Sequence, residues 1–160
     1  MFDSQRKGAY GVDAPYVPLL MGVAVLACML AAVVFRVHGL GVDIALLPLP
    51  LLCYLHTTLR GKFEVWAQLL DGLDLRGAER VLDLGCGRGA VLIQAARRVP
   101  SGQAVGVDIW SSRDQSGNAM AACRRNALVE GVAERIELHT ADMRALPFPD
   151  ASVDVVVSNV

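Results

Sequence analysis

Charge is scarce at the start of this 160-residue chain: among the first sixty positions only Asp3, Arg6, Lys7, Asp13, Arg36, Asp43 and Arg60 carry it. The remainder has the charge density of a soluble domain. Neither sign dominates, with 15 Lys and Arg against 16 Asp and Glu. Without a basic surplus there is no polycationic face for a phosphate backbone, so nucleic acid is not an expected partner. Cysteine is limited to Cys28, Cys53, Cys86 and Cys123 with no C-x-x-C pair. That spacing suggests neither a zinc cage nor a disulfide framework, and the four are read as reduced thiols. His38, His56 and His139 are isolated from one another, so no metal site and no histidine-based nucleophile is expected.

The charge-poor third holds two apolar runs. Ala14 to Phe35 is uncharged throughout, and its length matches the ~20 residues a helix needs to cross a hydrocarbon core. A cleavable signal sequence is the rival reading, but its apolar core is shorter, and here Arg36-Val-His follows where a small-residue cleavage site belongs. Ile44 to Leu59 is shorter and contains Pro48 and Pro50, but it reaches spanning length if Asp43 snorkels to the interface. The expectation is a membrane hairpin over residues 1–60, with spans near 15–37 and 42–59, a turn at 37–41, and Tyr10, Tyr16 and Tyr54 at its edges. Arg6 and Lys7 before it, and Arg60 and Lys62 after it, put both flanks in the cytoplasm by the positive-inside rule. Residues 61–79 then read as a linker helix, with Phe63, Trp66, Leu69 and Leu70 at helical spacing.

From residue 80 onward apolar runs alternate with helical patterns. Strands are expected at 80–84, 104–108, 135–139 and 153–158, with helices at 90–99 and 118–130. That order implies a Rossmann-like, open and mainly parallel α/β sheet with its ligand outside the carboxyl ends of the strands. Gly85-Cys-Gly87-Arg-Gly89 leaves the first strand and opens a helix, the context that gives a glycine loop meaning. Alone, the loop is also compatible with a nicotinamide or flavin oxidoreductase. Three acids separate the readings. Asp83 stands inside the strand two residues before Gly85, Asp108 ends the second strand, and Asp142 follows the third. The G-x-G-x-G spacing also differs from the G-x-G-x-x-G loop that sets a helix N-terminus against a pyrophosphate.

Val81-Leu-Asp-Leu-Gly-Cys-Gly-Arg-Gly89, Gly106-Val-Asp108, Ala141-Asp142-Met143 and Asp154-Val-Val-Val-Ser-Asn159 occur in that order. With these four segments the chain resembles the class I S-adenosylmethionine-dependent methyltransferases, and within them a membrane-anchored bacterial group similar to the quinone-biosynthesis C-methyltransferases. The resemblance implies S-adenosylmethionine as cofactor, with Asp83, Gly85, Cys86, Gly87 and Gly89 around its methionine end. It further implies Asp108 on the ribose hydroxyls, Ile109 or Trp110 against the adenine, and Asp142 on the adenine amine with Met143 nearby. Asn159 is the one residue it points to on the reacting side. The implied acceptor is a small or lipid-like molecule at the cytoplasmic membrane. Seven strands are usual in that family and residues 80–160 supply four, so an incomplete domain with little turnover of its own, or an inactive remnant, is expected. Trp110 to Asn118 departs from the family pattern and reads as a solvated loop.

Overall fold

The computed structural model describes residues 6–35 and 46–159. Helix α1 spans Tyr16–Val34. It buries none of its side chains, and among the described residues it is the one helix long and apolar enough to cross a membrane. Leu19, Leu20, Val23, Leu26, Leu30 and Val33 are all exposed along it.

The second expected span differs from its prediction. Helix α2, Leu49–His56, passes through a π turn at Thr57–Gly61 into helix α3, Lys62–Asp71, without a break at residue 60. Pro48 and Pro50 are accommodated because they fall at the start of α2, where an N–H would have no helical partner anyway. The predicted turn at 37–41 lies outside the described residues, so the hairpin as a whole is not observed. Gly72 closes α3, and a loop leads to the sheet.

Strand β1 is Arg80–Leu84 and β2 is Gln103–Asp108. Strand β3 is Ile136–Thr140 and β4 is Val155–Ser158. Helix α4, Leu92–Arg98, links the first pair, and α5, Met120–Val129, links β2 to β3. All pairings are parallel, in the order β3-β2-β1-β4, so the two most buried strands, β1 and β2, are central. Register sets Asp83 between Gly106 of β2 and Val157 of β4.

Strand alternation then divides the core. Val81 faces the larger cluster with Leu92, Ile93, Ala96 and Cys123, whereas Leu82, Val105 and Val107 form a second cluster with Phe148 and Val153 on the opposite face. Gly106 lets α4 close on the sheet, since a Cβ there would lie 2.8 Å from both Cys86 Sγ and Leu92 Cδ2.

Residues 6–14 form a strap across this domain. The Lys7 and Gly8 amides and the Tyr10 hydroxyl donate to Glu130 Oε1 at 2.9, 2.8 and 3.0 Å, and Ala9 donates to Asn126 Oδ1 at 2.9 Å. Tyr10 is therefore not an interfacial aromatic; it is buried edge-on to Phe63 with ring centroids 5.0 Å apart. Asp13 pairs with Gln115 in an isolated antiparallel bridge, fixed by Ala14 N–H to the Asp114 carbonyl and Ser116 N–H to the Val12 carbonyl.

Candidate functional site

A cavity of about 600 Å³ opens at the carboxyl ends of β1, β2 and β4, a size within the range of small-molecule sites. Asp83, Gly85, Cys86, Gly87, Asp108, Ile109, Asp142, Met143 and Asn159 line it. Parallel topology brings them together, because each strand ends on the same side of the sheet.

Asp83 is 1% exposed, and neither carboxylate oxygen makes a well-formed hydrogen bond within the protein. Burial raises its pKa to about 8, with the neighbouring Asp108 charge adding to the rise and the Leu92 amide opposing it. A bare acid at a cavity wall is costly unless it is neutral or meets a donor from outside the protein.

The glycine loop is built differently from an anion cradle. The Gly85 and Cys86 amides donate to the Val107 carbonyl, Gly87 to Asp108 Oδ2 at 2.7 Å, Arg88 to Gln115 Oε1 at 2.8 Å, and Gly89 to the Cys86 carbonyl. Every amide from Gly85 to Gly89 thus has an acceptor within the protein, and the loop contributes shape and close approach. Gly87 has φ +51, in the left-handed region that favours glycine. The Cys86 thiol is pushed far above its ordinary range by a hydrogen bond with Cys123 and by burial, so it is a packing group and no nucleophile.

Asp108 accepts from three donors: the Gly87 amide, the Trp110 amide and Asn118 Nδ2. A carboxylate has about four acceptor positions, so two further hydroxyls require one present donor to give way. Asp142 is gripped by the Arg144 side chain and amide, which hold its carboxyl down to about 2.

Two expected residues lie elsewhere. Gly89 faces the helices, where a Cβ would come within 2.9 Å of Cys123 Sγ and 3.1 Å of Ile93 Cδ1. Trp110 turns away at φ 60, and its indole N–H donates to Thr140 Oγ1 at 2.8 Å, so Ile109 is the member of that pair on the cavity wall. Asp13 and Lys62 also line the cavity, with Gln115 and Asn118. Asp13 and Lys62 precede the glycine loop by more than twenty residues and belong to no motif, so nothing local in the sequence marks them. The loop is exposed at Ser112, Arg113, Asp114 and Gly117, as expected, but Gln115 within it is only 9% exposed, because the strap packs on it.

The family described as "methyltransferase domain" matches residues 81–160. The ribosomal protein L11 methyltransferase of Pectobacterium carotovorum is 41% identical over 93 residues, which are 58% of this chain and 28% of that protein. Its counterpart in Salmonella arizonae is 43% identical over 94 residues, again 58% of this chain and 28% of the relative. The chain thus spans little more than a quarter of the length of these curated relatives. Among solved structures, a geranyl diphosphate methyltransferase in complex with S-adenosylmethionine superposes with a TM-score of 0.52 at 21% identity, covering 67% of this chain and 40% of that one. A S-adenosylmethionine-dependent methyltransferase fold from Methanococcus maripaludis gives 0.50 at 20% identity over 65% of this chain and 45% of its own. Both likenesses concern the fold.

Proposed function

Because this chain belongs to the methyltransferase-domain family, we propose that its cavity holds S-adenosylmethionine and that the whole protein passes the donor's methyl group to a small or lipid-like acceptor at the cytoplasmic face of a membrane. The observation that carries the donor assignment is the bare Asp83 carboxylate beside a glycine loop with no free amide. A pyrophosphate would need free N–H groups, which this loop lacks, and that disfavours a nicotinamide or flavin cofactor. An ammonium group is the complement of such an acid. When bound, S-adenosylmethionine supplies a methyl group already activated on a sulfonium.

The residues of the chain then bind and orient. Asp83 takes the ammonium, Gly85 and Gly87 let the backbone close on the methionine end, Asp108 takes the ribose, and Ile109 and Met143 flank the adenine. Asp142 meets the adenine amine once Arg144 yields. Asn159, at the cavity rim beyond β4, faces the reacting side. Catalysis of this kind rests on positioning and exclusion of water and calls for no base unless the nucleophile must lose a proton.

The strap supports the membrane placement. Residues 7–14 and Thr58 both bond to the soluble domain or to each other, so the two ends of the segment between them lie on one side. If α1 crosses a bilayer, the chain must cross back before Thr58. A cytoplasmic domain also suits so polar a donor.

Two measurements test this. Calorimetry should give saturable binding of S-adenosylhomocysteine and none of NADH. Tritiated methyl groups should appear in the lipid extract of membranes containing the protein; label found only in ribosomal protein L11 would replace the membrane acceptor with the relatives' substrate.

A further inference from the structure

The strap, the π turn and the loop after β2 meet at one point beside the glycine loop, and that meeting point deepens the S-adenosylmethionine reading on which it rests. Asp13 accepts from Lys62 Nζ at 2.8 and 2.7 Å, from the Thr58 hydroxyl at 2.7 Å and from Gln115 Nε2 at 3.0 Å, while its own amide donates to Thr58 Oγ1 at 3.0 Å. Thr58 and Lys62 are 4% and 9% exposed. They stand four residues apart across the π turn, the kind of helical irregularity that often re-aims side chains at functional sites.

Gln115 carries the constraint onward. Its NH2 is committed to the Asp13 carboxylate and its carbonyl oxygen to the Arg88 amide, so one orientation of the side chain satisfies both ends. The oxygen also sits where a Cβ on Gly87 would come within 2.6 Å. The loop rests directly on it.

We infer that Gln115 is a positioning residue for the methionine end of the donor site, and that Asp13, gripped by Thr58 and Lys62 of the membrane-flanking helix, holds Gln115 in place. The loop amides at Gly87 and Arg88 point at Asp108 and Gln115, so loss of either acceptor frees one half of the turn. A Glu at position 115 cannot substitute, because it has no donor for Asp13 and sets two carboxylates together.

The test uses the full chain in detergent micelles and two ligands: S-adenosylhomocysteine, which carries the amino acid end, and 5′-methylthioadenosine, which lacks it. Gln115→Leu should weaken the first about five- to tenfold, the net worth of a buried hydrogen bond, and the second by less than about twofold. Asp13→Asn, at the far end of the relay, should give the same selectivity with a smaller loss, and it decides the matter if the Gln115 variant does not fold. Equal losses for both ligands, or none, would overturn the positioning role. Absence of S-adenosylhomocysteine binding by the unaltered chain would instead overturn the donor site itself.

Discussion

At the scale of single residues, Asp83 is the group whose chemistry most depends on what enters the cavity. In the free protein its pKa of about 8 keeps it largely protonated near neutral pH. An ammonium beside it favours the ionised form, so donor binding should expel up to about one proton. Titrations with S-adenosylhomocysteine in buffers of different ionisation enthalpy will read this, and Asp83→Asn should abolish it. The same shift has a sign for stability. A carboxyl raised in the folded state disfavours folding once it must ionise, so without ligand stability should fall as pH rises from about 4 through about 8, and this slope should be missing in Asp83→Asn.

Among the elements, the strap is held chiefly by Glu130, whose side chain is 1% exposed. Burial pushes its pKa up, but hydrogen bonds from Gly8, Tyr10 and Lys7 and the Arg97 charge outweigh that and leave it below its usual value. Its contribution is therefore complete above the ordinary glutamate pKa of about 4.3 and is lost as pH falls through the lower folded value. Glu130→Ala leaves buried donors and Arg97 unpaired and should cost about 3 kcal/mol in denaturant titrations near neutral pH. The apolar helix α1 makes a different prediction. Leu26→Arg puts a charge at mid-helix, at a cost of about 3 kcal/mol in a spanning segment, and should move much of the protein out of the membrane fraction. Unchanged fractionation would mean that α1 does not span.

For the molecule as a whole, the strap and the direct packing of α3, whose Phe63 and Leu70 share a core cluster with Val81 and Leu92, join helices α2 and α3 to the sheet, so the two parts should unfold together. The two tryptophans report on each: Trp66 lies in α3 and Trp110 two residues past β2. Variants Trp66→Phe and Trp110→Phe should show the same melting temperature by the fluorescence of the remaining indole. Separate transitions would show that the strap bonds and the α3 packing together are too weak to couple the parts.

Sequence order alone determined the strands, since β1 and β2 are short apolar runs whose burial on both faces leaves little else for them to be. It also marked Asp83, Asp108 and Asp142, acids at strand ends that parallel pairing must bring to one edge. Tertiary structure decided what two of those acids meet, no well-formed hydrogen bond for Asp83 and the glycine loop for Asp108, whereas Asp142 meets Arg144 only two residues along the chain. It alone brought Asp13, Lys62 and Gln115 to the cavity, because strap, π turn and loop meet only when the chain closes on itself over a hundred residues of separation. Periodicity and motif spacing report on neighbours along the chain. A contact between distant segments leaves no such trace.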